Sequence, residues 1–332
     1  MPALQCSSRV KLIVAQGQLL EEIIDATFPI WNEGLTRSAY AKWNAAQMRT
    51  EWGRENLQRF ALVDDRGRWV ASAKRYAWPI QLDGMNGTMC GIGALFTRPE
   101  ERGRGYAGAL IEQLLDRARA EGTVLAGLFS EIGEALYRRL GFQTVPLFEV
   151  DVRVERREGS PAMHVRSGEP RDLPTLASMH DVRSARVRFR LRRSVPLIEY
   201  ALSKKRLLAG LGSGTIGRGM HNVEFFVVEE GGSAVAYVVL TVSRGGWTLE
   251  EAGDRDPAGA RLGALLQVLL ARNPAAPPAV IRAWWPPVFP VPPQVRLVNR
   301  MKARDVFMLR AIADVAIPSQ ERDIFYWRSD YF

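Results

Sequence analysis

Between Leu95 and Glu121 two glycines, Gly103 and Gly105, alternate with Arg102 and Arg104 just ahead of a stretch with helical periodicity. Residues of these types at this spacing can hold a phosphate. The start of a helix carries several unpaired N–H groups and the positive end of the peptide dipole. Glycine lets the backbone approach an anion with no Cβ in the way. The helix is well marked: Ala107, Leu110, Ile111, Leu114, Leu115 and Ala118 fall at offsets 0, 3, 4, 7, 8 and 11, with Glu112, Asp116, Arg117 and Arg119 on the other side.

Two stretches fit the spacing GxGxxG. One, Gly212-Ser-Gly214-Thr-Ile-Gly217, precedes a strand and reads as a loop. The other, Gly103-Arg-Gly105-Tyr-Ala-Gly108, precedes a helix but lies a hundred residues into the chain, after a hairpin meander. A dinucleotide fold opens with this unit and sets the loop directly after its first strand. The Gly-Lys-Ser/Thr of a nucleoside-triphosphate loop is absent.

Arg102-Gly-Arg-Gly105-Tyr-Ala107 resembles the Gln/Arg-x-x-Gly-x-Gly/Ala signature of the GNAT superfamily of acetyl-CoA-dependent acyltransferases. Downstream, Ala135-Leu136-Tyr137-Arg138-Arg139-Leu140-Gly141-Phe142 is similar to its second signature, a Tyr followed by Leu-Gly-Phe. The resemblance covers residues 10–154 and extends to the second half only as a degenerate copy. Tandem copies, with Leu128-Phe-Ser130-Glu131 leading to Tyr137, look similar to enhanced-intracellular-survival-type acetyltransferases. The tryptophan-rich N-terminal part is similar to fungal-type lysine acetyltransferases.

The resemblance implies a set of roles. Backbone N–H groups of Gly103, Arg104, Gly105, Tyr106, Ala107 and Gly108 would take the pyrophosphate of acetyl-CoA, with Arg102 and Arg104 adding charge. The strand edge at Leu95, Phe96 and Thr97 would pair with the pantetheine like an added strand. The neighbouring strand, Val124–Phe129, would splay away and leave a slot for the thioester. Tyr137 would donate to the leaving thiolate. A lysine-like amine has a pKa of about 10.4, so a base or proton wire is needed at neutral pH. Glu131, where the superfamily commonly has asparagine, is one candidate base or a helix cap. The terminal carboxylate of Phe332 is the other, since that group reaches the active site in survival-type enzymes. The tail Asp323-Ile-Phe-Tyr-Trp-Arg-Ser-Asp-Tyr-Phe is aromatic enough to dock. Trp31, Glu33, Trp43, Trp52, Tyr76 and Trp78 could line an amine pocket or pack in the core.

The elements that must position these groups follow a regular order. Lys11–Ala15 reads as a strand, Gln18 to about Phe28 as a helix, and Trp31–Trp52 as one or two short helices. Phe60–Asp64 and Trp69–Pro79 flank a turn as a hairpin, and Thr88–Thr97 is a third strand. After the glycine loop and its helix come the strand Thr123–Phe129, a helix from about Ile132 to a glycine stop at Gly141, and one or two strands over Phe142–Val154. The fold class expected is α/β: a mixed, mostly antiparallel GNAT sheet flanked by helices, in two tandem copies. The polar run Glu155–Pro161 suggests a division into 1–156, a catalytic domain binding acetyl-CoA, and 162–332, a degenerate copy with a C-terminal tail.

In that copy Leu262, Leu265, Leu266, Leu269 and Leu270 lie 155 residues beyond Ala107, Leu110, Ile111, Leu114 and Leu115. Its loop, Glu250 to Ala258, carries four acids against one arginine, and Pro257 removes a donor. A pyrophosphate would be repelled there, which leaves this half a structural or substrate-shaping part.

The 332 residues carry a formal net charge of +9, with no run of basic residues longer than two or three. That suits a basic surface with one anion site better than a nucleic-acid-binding face, and no nucleic-acid partner is expected. Cys6 and Cys90 stand far apart, and His164, His180 and His221 are scattered, so neither a disulfide framework nor a metal site is expected. No apolar run reaches membrane-spanning length and no signal segment is evident, which points to the cytoplasm and no membrane partner. The expected activity is transfer of an acetyl group from the cosubstrate acetyl-CoA to a small-molecule or lysine amine, in a possible homo-oligomer. Two rival classes are an acetyl-CoA-binding regulator without turnover and a nucleic-acid-associated protein.

Overall fold

Threonines set the first helix boundaries. Thr36 and Thr50 accept hydrogen bonds from the N–H groups of Ala39 and Gly53, capping α2 (Arg37–Arg49) and α3 (Glu51–Asn56) behind β1 (Lys11–Val14) and α1 (Gly17–Trp31). There follow β2 (Leu57–Val63), β3 (Trp69–Leu82), β4 (Met85–Thr97), α4 (Tyr106–Ala120), β5 (Leu125–Ser130), α5 (Ala135–Arg139) and β6 (Gln143–Thr144). The chain continues through β7 (Phe148–Val154), β8 (Val165–Ser167), α6 (Leu173–Ser184), β9 (Phe189–Leu191), α7 (Val195–Gly212), β10 (Met220–Glu230), β11 (Ser233–Ser243) and β12 (Gly246–Asp254). It ends with α8 (Ala260–Ala271), β13 (Ile281–Ala283), β14 (Val295–Lys302), β15 (Val306–Ala311) and β16 (Ile324–Phe325). This computed structural model describes residues 10–155, 163–212, 220–243, 245–272 and 280–332. The Ser213–Gly217 part of the second glycine motif, Cys6, and residues 156–161 of the expected boundary lie outside the described residues.

The chain forms two units. The first consists of the chain up to Val145, Arg304–Ser319 and Phe332; the second of Pro146–Ala303 and Gln320–Tyr331. In the first unit the strands run in the order β1-β2-β3-β4-β5-β15-β6. Every neighbouring pair is antiparallel except β4 and β5, which are parallel because α4 carries the chain back across the sheet. The apolar stripe of α4 does land on one face: Leu110, Ile111, Leu114 and Leu115 pack with Phe60, Leu62, Ala73 and Ile92. Each such leucine, fully buried, contributes roughly 1.5–3 kcal/mol. Ile23 of α1 packs with Ala61, Trp69 and Phe96 on the opposite face.

The second unit repeats this order as β8-β10-β11-β12-β13-β7-β14, again with one parallel pair, β12 and β13. Helix α8 follows β12 as α4 follows β4, and each starts after a left-handed glycine, Gly259 or Gly105. The mixed, antiparallel-dominated sheets flanked by helices match the expected fold class.

The division into 1–156 and 162–332 requires correction. Phe148–Val154 does not close the first sheet; it lies between β13 and β14, with Val150 and Val152 buried in the second unit's core. The corresponding place in the first sheet, between β5 and β6, is filled by Val306–Ala311. Alternating apolar residues mark a half-buried strand but carry no label for which sheet it joins. Helix α7 is a second element the periodicity did not reveal.

Candidate active site

The glycine loop enters α4 through two left-handed residues. Gly103 (φ +80°) and Gly105 (φ +83°) are both left-handed, and a Cβ on either would meet nothing within 4 Å, so the loop's inner surface is bare backbone. Gly105 caps α4, and the helix ladder begins with Ala109 N–H donating to Gly105 O at 3.0 Å. The N–H groups of Tyr106, Ala107 and Gly108 therefore precede the ladder. The two arginines differ. Arg104 is paired at 2.9 Å with Glu101, whose side chain is buried, whereas Arg102 is exposed and its Nε donates to Thr97 O at 3.4 Å.

Upstream of this loop, β4 breaks its regular pleat. Its register with β3 slips between Lys74–Gly93 and Ser72–Phe96, where Ala94 takes φ +46°. A non-glycine residue held left-handed in a bulge is strained, and bulges re-aim backbone beside functional sites. On the other edge, the parallel pairing with β5 runs from Met89–Leu125 to Ile92–Leu128 and stops. Beyond that pair β5 continues along β15, with Phe129 opposite Phe307 and Ser130 opposite Val306. From Gly93 to Thr97 that edge of β4 has no strand beside it among the described residues. Leu95 turns its side chain to the α4 core and Phe96 to the α1 core, which leaves their backbone at the open edge. The unpaired edge of β4 thus runs on from its last pair with β5 towards the glycine loop.

Three sequence candidates for catalysis take different positions. Tyr137, in the middle of α5, is buried and meets Phe142 edge to face at 6.2 Å. Burial pushes its phenol up from the usual value, so it stays protonated at neutral pH and able to donate. Glu131 follows β5 directly and is exposed. Phe332 is 9% exposed, its ring 5.3 Å from Tyr76, 5.4 Å from Trp78 and 5.4 Å from Phe129. Its main-chain carbonyl carbon and oxygen lie 3.7 and 3.8 Å from where a Cβ on Gly93 would stand, immediately before the bulge.

The segment that carries this glycine loop and open strand edge is also the segment matched by the family model for the acetyltransferase (GNAT) domain, residues 19–145. Residues 19–145 are a GNAT acetyltransferase domain. On that ground the protein is an acyltransferase. No curated protein is matched by the sequence. Among solved structures, the chain is similar to a probable N-acyltransferase from Enterococcus faecalis, at 13% identity and TM-score 0.66, covering 92% of this chain and 73% of that one. A GCN5-related N-acetyltransferase from Kribbella flavida gives 17% identity and TM-score 0.66 over 92% and 71%. The Saccharomyces cerevisiae N-myristoyltransferase with bound myristoyl-CoA gives 12% identity and TM-score 0.53 over 93% and 80%. At these identities the likeness is one of fold. Among the described residues no helix is long and apolar enough to cross a membrane, and no group of three metal-binding side chains occurs.

The aromatic residues of the GNAT domain sort by sheet face. Trp52 and Trp78 lie 4.6 Å apart, and Tyr76 stacks on Trp78 at 5.7 Å, all three buried. Trp43 is buried above Lys74, while Trp31 lies edge-on to Phe96 and Glu33 is exposed. Beside the loop a cleft of about 470 Å³ opens between α1 (Ala26, Pro29, Ile30) and Trp69, Phe96, Arg98 and Arg102.

Sequence reasoning passed over Gly91, Gly93 and Ala94. The signal was present: Gly-Ile-Gly-Ala inside an apolar strand marks a bulge or a close approach of another chain segment. In the second unit the acids counted as loop have partners of their own. Glu250 and Glu251 lie in β12, bound to Lys205 and Arg193, and Asp254 Oδ2 accepts from Leu262 N–H at 2.8 Å. The start of α8 is thus capped by the carboxylate at the end of β12.

Proposed function

We propose that the chain transfers the acetyl group of acetyl-CoA to a primary amine of a small molecule or a lysine side chain, by direct attack. The observation that carries this reading is the unpaired edge of β4 beyond its last pair with β5, with the left-handed Ala94 at one end and the glycine loop at the other. The pyrophosphate would lie on the N–H groups from Gly103 to Gly108, aided by Arg102. The pantetheine would run along the open edge of Leu95, Phe96 and Thr97, bringing the thioester to Ala94.

The amine nitrogen then attacks the carbonyl carbon, a C–N bond forms, and the C–S bond breaks. Tyr137, kept protonated by burial, would supply the proton that the leaving thiolate takes. The amine proton needs an acceptor beside Gly93. The two candidates for it are Glu131, which is exposed, and a terminal carboxylate at Phe332, whose main chain lies against Gly93. The acidic start of α8, capped by Asp254, supports one cosubstrate site, in the first unit.

Free CoA release, followed by a thiol reagent against primary amines ranging from diamines and amino acids to lysine peptides, tests the reading. Release with at least one amine is expected. Tight acetyl-CoA binding with no release from any of them would instead favour a binding regulator.

A further inference from the structure

Where β4 and β5 part, the two strands present unequal side chains. Their last pair is Ile92–Leu128, and the residues that follow are Gly93 on β4 and Phe129 on β5. Successive residues of a strand face opposite sides. Ile92 and Leu128 turn to the α4 core, where both are buried with Leu110 and Leu114, so Gly93 and Phe129 share the other face. That face is covered by rings. Phe129 stacks on Phe307 with centroids 4.8 Å apart and meets Phe332 edge to face at 5.4 Å. The Phe332 ring lies 5.3 Å from Tyr76 and 5.4 Å from Trp78. Of these five rings Phe129 alone is half-buried, and it stands directly after the last β4–β5 pair.

We propose that Phe129, backed by Phe307 and Phe332, sets the length of the transferred acyl group and limits the donor to acetyl- or propionyl-CoA. This rests on the reading that brings the thioester to Ala94, next to Gly93. An acyl group placed there extends towards the point where the strands part. Beside Gly93 there is room for little more than one carbon, since even a Cβ on it would stand 3.2 Å from Tyr76 Cε2. A longer chain has two ways to go, and both are taken. On the α4 face it meets Ile92 and Leu128, which are 3% and 1% exposed. On the other it meets Phe129 and the rings behind it. Side chains packed to interior density yield to an added methylene only by leaving their rotamers or moving backbone. Phe129 is the determinant because its removal uncovers the faces of Phe307 and Phe332 as pocket walls without cutting into the α4 core. The limit is one of packing and not of reactivity: whatever the chain length, the same C–N bond forms and the same C–S bond breaks.

The test uses the full chain with an amine that supports turnover, and reads kcat/KM for acetyl-, propionyl-, butyryl- and hexanoyl-CoA. One methylene too many in an enclosed apolar site costs roughly 10–200-fold. Butyryl-CoA should therefore be used at least about tenfold less well than propionyl-CoA, and hexanoyl-CoA less well again. Phe129→Ala should raise the butyryl-to-acetyl ratio by about tenfold or more, with Phe129→Leu in between. A ratio between donors is insensitive to a general loss of activity from poorer packing. Equal use of the four donors by the unchanged chain, or an unmoved ratio in Phe129→Ala, overturns the proposal. Should Phe129→Ala fold poorly, Phe129→Leu is read in the same way. Titration calorimetry with acetyl-CoA and butyryl-CoA separates the two claims. If no donor releases CoA but the affinity ratio shifts in Phe129→Ala, the transfer reading fails and the role of Phe129 stands. If acetyl-CoA is turned over and both ratios stay in place in the variant, only the role of Phe129 fails.

Discussion

Phe332 packs the edge of its ring onto Gly91: a Cβ on that glycine would stand 2.9 Å from Phe332 Cε2 and 2.6 Å from Trp78 Nε1. Neither ring has slack, since Trp78 is stacked on Tyr76 and tilted onto Trp52. Gly91→Ala should therefore displace the last residue as well as strain the strand. The expected cost is about 1–3 kcal/mol of stability, the usual range for overpacking, read from urea unfolding. Turnover should fall further than acetyl-CoA affinity. A variant with unchanged stability and rate would mean that Phe332 does not occupy this position.

Gly105 offers the converse case, a glycine kept for its backbone and not for lack of room. Its φ of +83° costs an alanine roughly 1–2 kcal/mol, although no atom stands within 4 Å of the added Cβ. Gly105→Ala should weaken acetyl-CoA binding about tenfold by titration calorimetry while the unfolding midpoint shifts modestly. Equal affinity in the two proteins would remove the loop from the binding site.

The glycine loop and its helix were legible in the sequence because the signal is local: glycines, arginines and an amphipathic stripe lie within one short stretch. The topology up to α5 was legible for the same reason. What was hidden depends on distant partners. Phe148–Val154 alternates and Val306–Leu309 is a continuous apolar run, but neither pattern tells which sheet its strand joins. Gly93 and Lys74 lie nineteen positions apart in sequence, and only the β3–β4 register, with its slip at the bulge, makes them neighbours. The acids of β12 misled for a related reason: they look like a repelling loop until Lys205, Arg193 and the N–H of Leu262 are found facing them.

Arg193 is the centre of a buried charge cluster in the second unit. Its side chain is 3% exposed and bonds Asp330 at 2.6 Å, Ser329 Oγ at 2.6 Å and the carboxylate of Glu251. The two buried carboxylates hold the guanidinium above its usual range against the pull of burial. Asp330 also accepts from Trp327 N–H at 2.9 Å, so the last turn of the tail is tied to the same group. Arg193→Met leaves two buried carboxylates without a counter-charge, and about 3–5 kcal/mol of stability should be lost. The double variant Arg193→Met with Asp330→Asn should recover part of it. A loss below about 1 kcal/mol would show that solvent reaches the cluster.

His180 makes the second unit sensitive to mild acid. It is 3% exposed, packs edge to face with Phe325 at 5.2 Å, and its Nε2–H donates to Leu191 O at 3.0 Å. Burial, and then the charge of Arg193, push its imidazolium well below the ordinary value of 6.5. The folded protein thus keeps His180 neutral in a range where the unfolded chain takes up a proton. The stability this affords is fully present above pH 6.5 and is lost as pH falls towards the folded value, by about 1.4 kcal/mol per unit. Asp172 and Glu229, held low chiefly by the Arg166 guanidinium, lose their contribution only below about pH 4, so the two windows separate. Unfolding midpoints measured from pH 7.5 to 5 should decline, and His180→Asn should be less stable at pH 7.5 but flatter across the series. An equally steep decline in the variant would place the acid sensitivity elsewhere.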